Sequence, residues 1–520
     1  MKKPKFNTDL TVLEAMQHPN LFGKWFKGST WTAWRAFLAA LFGLPLDEEG
    51  LRLFRHHTGR QTPPKGQARE AWLVVGRRGG KSRIAALCAV YLAFFRDYRG
   101  VLAPGEVATV PIIAADRKQA RTILRYVNGL IDAVPVLARM VVARTRESIE
   151  LNNGVVIEIH TCSFRAVRGY TVVAAVGDEI AFWRTDDAAN PDHEILNGLR
   201  PGMATIPGAL LLGISSPYAR RGELWKAHKD HYGKDDDPVL VWQAETMAMN
   251  PAVDRKVIAD AYAADEVAAA SEYGAQFRRD IEAFMSQEII DRCVVEARRE
   301  IPPIAGVAYF GFVDPSGGAQ DSMTVAVSHS ENDRAVLDAM REVRPPFSPD
   351  AVTKEFSDLL KSYEIYSVRG DRYGGEWPRE RFAVHGITYE LSEKTKSEIY
   401  LSALPILNSG RAELLDHKRL RNQLTNLERR TARGGRDSVD HGPGLHDDIA
   451  NSACGALLMA AEQSSLGDNP IEAYGSYVQP DWDTDAPSSE GARGQTLADY
   501  VDAVQDGGGG IRRGRDDRPW

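Results

Sequence analysis

The chain has little cysteine and no long hydrophobic run. Its four cysteines, Cys88, Cys162, Cys293 and Cys454, are scattered over 520 residues and form no C-x-x-C pair. This spacing argues against a zinc site or a disulfide framework and favours buried free thiols in a reducing compartment. No apolar run reaches about 18 residues, so no transmembrane helix is predicted. The lysines near Met1 are not followed by an apolar stretch, so we expect no secretory signal.

Basic residues are not in excess either. The formal net charge is −7, which at first argues against a nucleic-acid partner. The segment 466–520 alone contributes a net −6, from eleven acidic and five basic residues, and leaves the rest of the chain near −1. A nearly neutral body can still carry a basic groove, because the local field matters more than the total charge. The length is too great for one ordinary core and predicts two or three domains.

Alternating apolar strands and helices predict an α/β fold with a mainly parallel sheet. We expect a helical N-terminal lead-in, a first α/β domain, a helical connector, a second α/β domain and a disordered tail rich in glycine and poor in large apolar residues. The predicted boundaries of these five parts are 1–65, 66–250, 251–300, 301–465 and 466–520. Within the lead-in, Trp31, Trp34 and Phe37 have helical spacing, and we interpret them as packing residues.

A glycine-rich turn between an apolar strand and an apolar helix is the strongest motif. The stretch AWLVVGRRGGKSRIAALCAVY contains Gly79 and Gly80, which allow close approach of the backbone, followed by Lys81 and Ser82. Lys81 can neutralise phosphate charge, Ser82 can bind Mg²⁺, and the helix N-terminus favours an anion. Gly76 stands one residue later than in the usual pattern, so the loop is a variant. We therefore predict a nucleoside triphosphate site.

Two arginines in the same loop are unusual. Either Arg77 or Arg78 can face the γ-phosphate and stabilise the charge that develops there, as an arginine finger does. The alternative is a solvated surface pair. The sequence leaves both interpretations open.

An acidic strand end follows downstream. The apolar run TVVAAVG ends in Asp178 and Glu179. We predict that Asp178 holds Mg²⁺ and that Glu179 orients and deprotonates the attacking water. A third apolar strand ends in Ser215 and Ser216, which either sense the γ-phosphate or form an ordinary turn before a proline.

A second group of carboxylates occurs in the C-terminal part. Asp314 and Asp371 each end an apolar strand, and Asp447 and Asp448 open a late helix. Clustered carboxylates repel one another unless cations neutralise them, and two Mg²⁺ ions would also support phosphodiester cleavage. For Asp447 alone, a helix cap is an equally simple interpretation.

Other residues near these acids have less specific signals. His446 either assists the chemistry or caps the helix, and Asp321 is interpreted as a turn residue. We expect a helix with several cations in the region 411–436, suited to a DNA backbone or simply solvated. These cations are Lys418, Arg419, Arg421, Arg429, Arg430 and Arg433.

Taken together, the motifs resemble those of the large terminase subunits of tailed bacteriophages. The resemblance spans about residues 30–462 and rests on VGRRGGKS, VVAAVGDE, ISSP, FVDPSGG, VRGD and LHDD. It implies an N-terminal P-loop ATPase and a C-terminal ribonuclease H-like nuclease. One departure is that no adenine-recognising glutamine stands ahead of the loop.

The resemblance also implies roles for single residues. Lys81 and Ser82 would hold ATP and Mg²⁺, Arg77 would be the loop arginine, and Ser215 and Ser216 would form the coupling segment. The acids would be a metal-side Asp178, a catalytic Glu179, and the nuclease metal ligands Asp314, Asp371 and Asp448, with Asp447 as the competing third acid. Mn²⁺ is an alternative to Mg²⁺ in the nuclease site.

Partners and location follow from the same resemblance. It implies double-stranded DNA, a portal protein, a terminase small subunit and a homo-oligomeric ring, in the host cytoplasm and transiently on the procapsid portal. Three rival interpretations remain: a helicase or repair ATPase fused to a nuclease, a transposase or integrase, and a scaffold with a degenerate loop.

Overall fold

The structure, a computed structural model, describes residues 9–162, 169–183, 191–319, 321–372, 376–431 and 437–465. The predicted tail and Arg433 lie outside these residues. In the described part, no helix has the length and apolar character needed to cross a membrane. All four cysteines are free, and three of them are buried; Cys162 is half-buried.

The first part of the chain forms a helical N-terminal segment and one large sheet. Its helices are α1 (Val12–Gln17), α2 (Gly23–Phe26), α3 (Thr32–Leu41), α4 (Glu48–Thr58), α5 (Lys81–Phe94), α6 (Arg117–Asp132), α7 (Pro135–Ala138), α8 (Pro191–Met203), α9 (Gly222–His231) and α10 (Thr246–Met249). Its strands are β1 (Glu70–Val75), β2 (Ala108–Ala114), β3 (Val141–Arg144), β4 (Ser148–Leu151), β5 (Val155–Thr161), β6 (Thr171–Val172), β7 (Ala174–Asp178), β8 (Leu210–Ser215) and β9 (Val239–Ala244).

This first sheet has the order β3-β4-β5-β2-β7-β8-β1-β9, with β6 beside β2. Strand β4 pairs antiparallel with both β3 and β5 near one edge, and the other pairings of the sheet are parallel. The central strands are almost wholly buried, as continuous apolar runs in parallel sheets require. The predicted mainly parallel α/β sheet is confirmed. Its topology places the carboxyl ends of β1, β8 and β7 side by side.

The predicted helical connector is only partly helical. Helices α11 (Arg255–Ala264) and α12 (Glu266–Glu272) are present, but the chain then forms β10 (Ile281–Ala283), α13 (Gln287–Cys293) and β11 (Val294–Val295). Strand β10 pairs with a strand of the C-terminal part over residues 428–430. The predicted helical connector over 251–300 is therefore interrupted by strands, because long-range pairing overrides the local helical preference there.

The C-terminal part builds a second sheet. Its remaining helices are α14 (Pro349–Ser362), α15 (Trp377–Val384), α16 (Lys396–Asn408), α17 (Lys418–Asn426) and α18 (Asp448–Ser465). Its remaining strands are β12 (Tyr309–Asp314), β13 (Met323–Glu331), β14 (Arg334–Val343), β15 (Ser367–Gly370), β16 (Thr388–Leu391), β17 (Ala412–Leu415), β18 (Leu427–Thr431) and β19 (Asp437–His441).

The second sheet has the order β11-β17-β14-β13-β12-β15-β16, and β10, β18 and β19 form a separate small sheet. The antiparallel strands β12 to β14 form the centre, and β15 lies parallel to β12. Helix α18 packs on the central strands. A Cβ at Gly455 of this helix would lie 2.4 Å from the ring of Phe312 on β12, so glycine permits the close approach that brings the start of α18 toward the end of β12.

The prediction of a continuous cationic helix near residues 411–436 was wrong. Helix α17 ends at Asn426, and the described residues that follow, 427–431 and 437–441, form the antiparallel strands β18 and β19. Arg419 and Arg421 lie 3.1 and 2.9 Å from carboxylates of Glu342 and Asp416. Arg429 pairs with Asp437, and Arg430 lies 3.3 Å from Glu428. These four arginines are largely neutralised within the fold, which weakens the interpretation of the segment as a DNA-binding face.

Candidate active sites

The glycine-rich loop joins β1 to α5 at the carboxyl edge of the first sheet. The Lys81 ammonium is 5% exposed and donates hydrogen bonds to the carbonyl oxygens of Val75 at 2.8 Å and Gly76 at 3.4 Å. The indole Nε1 of Trp34 donates to the carbonyl of Gly79 at 2.9 Å. Gly80 has φ 107°, a conformation that glycine adopts without a Cβ penalty. These hydrogen bonds therefore fix the loop around a buried ammonium.

The shifted glycine of the motif has a structural reason. A Cβ at Gly76 would lie 2.3 Å from Thr246 Oγ1 and 2.5 Å from the Tyr273 carbonyl oxygen. Thr246 Oγ1 itself donates to the Arg77 carbonyl at 2.7 Å. Gly76 thus provides space for the segment after β9 to pack against the loop.

The acids at the end of β7 lie beside this loop. Asp178 is paired in register with Ile214 of β8, one residue before Ser215. Glu179 Oε2 accepts hydrogen bonds from Ser215 Oγ at 3.1 Å, from the Ser216 N–H at 3.2 Å and from Ser216 Oγ at 3.3 Å. Glu179 Oε1 lies 3.8 Å from Lys81 Nζ. The structure therefore brings together the lysine, the glutamate and the two serines that the sequence singled out.

Burial dominates the electrostatics of this site. It lowers the pKa of Lys81, although the neighbouring Glu179 and Asp178 carboxylates oppose the effect. Burial, followed by the charge of Glu179, raises the pKa of Asp178 to about 7. The buried Oδ1 of Asp178 accepts no hydrogen bond. A buried carboxylate oxygen without a donor is a suitable ligand for a divalent cation, so the residues fit a bound Mg²⁺.

A cavity of about 660 Å³ opens in front of the loop. It is lined by the loop, the start of α5, two tryptophans of the N-terminal segment, helix α6 and the residues after α10. The lining residues that the sequence had singled out are Trp31, Trp34, Arg77, Arg78, Gly79, Gly80, Lys81, Ser82 and Glu179. Trp34 and Phe37 are fully buried, as predicted for packing residues, but Trp31 is only half-buried and faces the cavity.

The two loop arginines differ in their partners. The Arg77 guanidinium lies 3.2 Å from the carboxylate of Glu272 on α12. Arg78 has φ 62°, in the left-handed region, and its carbonyl accepts a hydrogen bond from Asn250 Nδ2 at 2.8 Å. Both line the cavity.

The second candidate site lies at the carboxyl ends of β12 and β15. The N–H of Asp371 donates to the carbonyl of Val313 at 3.2 Å, which holds the ends of the two strands together. Asn451, on the first turn of α18, donates from Nδ2 to Asp314 Oδ2 at 2.9 Å and to Asp371 Oδ2 at 3.3 Å. The amide thus bridges two carboxylates that would otherwise repel each other.

The two acids at the start of α18 have different environments. Asp447 is 3% exposed. Its carboxylate lies 3.1 Å from Lys396 Nζ and accepts a hydrogen bond from Tyr400 OH at 2.8 Å. Lys396 and Tyr400 are four residues apart on α16, so one face of that helix supplies both partners. Asp448 is 9% exposed, and its buried Oδ2 accepts no hydrogen bond.

These acids line a second cavity of about 210 Å³. Burial raises the pKa of Asp314 well above its ordinary value, against the hydrogen bond from Asn451. Burial, followed by the charge of Asp447, raises the pKa of Asp448 to about 6. Asp321 also lines this cavity, with its Oδ1 3.6 Å from His446 Nδ1. The cluster and its orphaned Asp448 oxygen fit one or more divalent cations.

Three residues of the second site had no signal in the sequence. Asn451, Lys396 and Tyr400 are ordinary helical residues in sequence, and only the packing of α16 and α18 places them on the acids. Lys396 Nζ also lies 3.1 Å from Asp440 Oδ1 on β19. Asp440, His441 and Asp447 form a further cluster of possible metal ligands. The Lys396 ammonium already pairs with both carboxylates of this cluster.

A buried carboxylate connects the segment after β8 with the C-terminal part. Glu428 on β18 is fully buried and accepts a hydrogen bond from Tyr218 OH at 2.9 Å. It also accepts hydrogen bonds from Arg221, and from Arg430 at 3.3 Å. Tyr218 follows the serines that hold Glu179 by two residues. Residues 216–221 thus link the first candidate site, through Ser216 and Glu179, to Glu428 of the small sheet.

No family model matches the chain, and no curated protein matches it. Among solved structures it is similar to the large terminase of bacteriophage HK97, at 14% identity and a TM-score of 0.38, over 86% of this chain and 99% of that one. The large terminase of a thermophilic bacteriophage gives 12% identity and a TM-score of 0.34, over 76% and 94%. The large terminase nuclease of thermophilic phage G20c with bound magnesium gives 17% and 0.30, over 34% and 98%. These solved structures are phage large terminases or a domain of one, the proteins that the motifs of this chain resemble.

Proposed function

We propose that the chain is a DNA-packaging motor subunit, which hydrolyses ATP to move viral double-stranded DNA into a capsid and cuts that DNA with a metal-dependent endonuclease. The observation that supports this most is that one chain contains two separate groups of side chains, each suited to chemistry on phosphates. One combines a buried Lys81 with Glu179, and the other gathers Asp314, Asp371 and Asp448. A helicase or repair ATPase fused to a nuclease is the alternative.

In the first site, Lys81 and the loop N–H groups bind the triphosphate, and Ser82 and Asp178 hold Mg²⁺. Bound Mg²⁺ would neutralise phosphate charge there. Glu179 is fixed by the two serines, so it can hold a water in line with the γ-phosphorus and accept its proton. Loss of the γ-phosphate would change the contacts of Glu179 and, through Ser215 and Ser216, the segment that leads to Tyr218.

In the second site, Asp314, Asp371 and Asp448 are the proposed metal ligands. Bound Mg²⁺ or Mn²⁺ would activate water and stabilise the leaving oxygen. Asn451 orients the first two carboxylates. The Asp447 carboxylate already pairs with Lys396 and accepts a hydrogen bond from Tyr400. This favours Asp448 as the third ligand and gives Asp447 a positioning role.

The proposal includes the parts predicted in the sequence: a first domain at 66–250, a nuclease domain at 301–465, and a homo-oligomeric ring that works with a portal protein and a terminase small subunit. The protein would act in the host cytoplasm and transiently on the procapsid portal. Duplex DNA is the proposed polymer, so we expect it to stimulate ATP hydrolysis more than single strands do.

Two assays on the full chain test the proposal. Lys81→Ala should abolish ATP hydrolysis, while Lys226→Ala on the exposed side of α9 should not. Asp314→Ala and Asp371→Ala should abolish cutting of plasmid DNA in Mg²⁺ or Mn²⁺, while Asp358→Ala on the exposed side of α14 should not. Equal cutting by all variants would remove the nuclease assignment. Separation of a labelled duplex with ATP would favour the helicase alternative.

A further inference from the structure

The nucleotide cavity extends beyond the phosphate loop into a region of rings and a guanidinium. Arg83 stands two residues after Lys81 on α5, and its Cζ lies 4.9 Å from the ring centroid of Trp31 and 5.6 Å from that of Phe26. The rings of Phe26 and Trp31 meet edge to face at 4.8 Å. Tyr126 of α6, which is 43% exposed, lines the same cavity. These groups offer flat faces next to the phosphate end.

Tyr126 and Arg83 also line a neighbouring cavity of about 390 Å³. That cavity contains Trp25, Phe26 and Leu130 among its lining residues. The shared residues extend the flat, apolar region away from the loop. There is therefore room for a base and a sugar on the side of the cavity that the phosphates leave free.

The cavity in front of the phosphate loop has few amide and hydroxyl side chains that could distinguish one base from another. Among the described residues that line it, Asn250 has the only side-chain amide. Its Nδ2 already donates to the Arg78 carbonyl at 2.8 Å, and its Oδ1 accepts from the Ala252 N–H at 3.3 Å. The hydroxyls of Thr30 and Thr122 both donate and accept, so they can pair with either purine.

We propose that this site, if it is the nucleotide site assigned above, holds the base by stacking on Trp31, Arg83 and Tyr126 and does not read its hydrogen-bonding edge. Every base has a π face, so stacking tolerates any base. Discrimination of 10⁴-fold or more requires buried hydrogen-bonding groups that one substrate leaves unpaired. The substrate class is therefore nucleoside triphosphates in general, with GTP used about as well as ATP.

The first test is kinetic, on the full chain with DNA present. We expect kcat/KM for GTP to lie within about tenfold of that for ATP. A preference of more than about 100-fold for either purine would overturn the inference while leaving the assigned ATPase intact. No hydrolysis of any triphosphate, with Lys81→Ala indistinguishable from the unmodified chain, would instead refute the proposed function itself.

The second test separates base from phosphate binding. Tyr126→Ala should raise KM for ATP and GTP together by about tenfold with little change in kcat, which is the pattern for loss of uniform binding. Tyr126→Phe should restore KM, and Tyr366→Ala, at an exposed tyrosine elsewhere, should not change it. Binding of inorganic tripolyphosphate, which has no base, should be equal in all four proteins. A Tyr126→Ala chain with unaltered KM for both nucleotides, or with weakened tripolyphosphate binding, would contradict stacking on this residue.

Discussion

The side-chain amide of Asn451 lies 2.9 Å from the Asp314 carboxylate, and the same amide reaches Asp371. Residues that orient metal ligands in this way typically change metal affinity about 10–100-fold when they are removed. Asn451→Ala should therefore raise the Mg²⁺ concentration needed for half-maximal plasmid cutting by that factor. A titration of supercoiled plasmid cleavage against Mg²⁺ measures the effect.

Asn128→Ala, which removes an asparagine from helix α6 beside the first sheet, serves as the matched control for this titration and should not shift the midpoint. The bridging role would be refuted by an Asn451→Ala chain that cuts with the same Mg²⁺ midpoint. Loss of cutting at every Mg²⁺ concentration together with loss of the folded state would point to a packing role, which thermal unfolding detects.

The crowding around Gly76 predicts that Gly76→Ala damages the nucleotide loop. The added methyl would meet Thr246 Oγ1 at 2.3 Å and the Tyr273 carbonyl at 2.5 Å. Overpacking of this kind typically costs about 1–3 kcal/mol. We expect ATP hydrolysis to fall at least tenfold and the unfolding temperature to drop. Gly66→Ala is the control, because a Cβ there has no heavy atom within 4 Å; equal activity of the two variants would contradict the close approach.

The raised pKa of Asp178 predicts a pH-dependent stability of the metal-free chain. Because burial raises this pKa from 3.8 to about 7, the folded state binds more protons than the unfolded state in that interval. The contribution of the protonated group is complete below pH 4 and is lost as the pH rises toward 7. Relative to Asp178→Asn, the free energy of unfolding of the unmodified chain should fall by on the order of a few kcal/mol over this pH range.

Chemical unfolding of both chains at several pH values, with a chelator present, measures this difference. Mg²⁺ with nucleotide should restore the unmodified chain selectively, since a cation stabilises the ionised carboxylate. A stability difference that stays constant from pH 4 to pH 7 would mean that Asp178 has an ordinary pKa.

The buried position of Glu428 predicts a large cost for its removal. Glu428→Ala would leave Tyr218 OH, Arg221 and Arg430 without their shared acceptor. Breaking a buried ion pair from one side costs about 3–5 kcal/mol. Calorimetry should show a clear fall in unfolding temperature, while Glu355→Ala, on the exposed side of α14, should change it little. A shift as small as that of the control would show that water satisfies these groups.

The acids of both sites were predictable because functional side chains in α/β folds often lie at the carboxyl ends of strands. Asp178 and Glu179, and likewise Asp314 and Asp371, each follow an apolar strand, and neighbouring parallel strands end at one edge of a sheet. The helix that starts at Asp448 was also expected. These predictions depend on short stretches of sequence whose periodicity specifies the element and its direction.

What escaped prediction depends on contacts between distant segments. Lys396 reaches Asp447 across 51 residues of sequence, and no local pattern marks it. The strand at Leu427–Thr431 replaces a predicted helix because it pairs with both Ile281–Ala283 and Asp437–His441. Trp31 and Trp34 both line the nucleotide cavity, but Trp34 is fully buried and Trp31 only half-buried, a difference that depends on the packing of distant segments.

The loop between β1 and α5 takes its shape from remote parts of the chain. Trp34 contacts it from the N-terminal segment, Thr246 and Asn250 from beyond β9, and Glu272 from α12. Transplanting the short glycine-lysine motif into another strand–helix scaffold would leave these supports behind. The eight letters VGRRGGKS are therefore not a portable module, and redesign of this loop must carry all three surrounding segments with it.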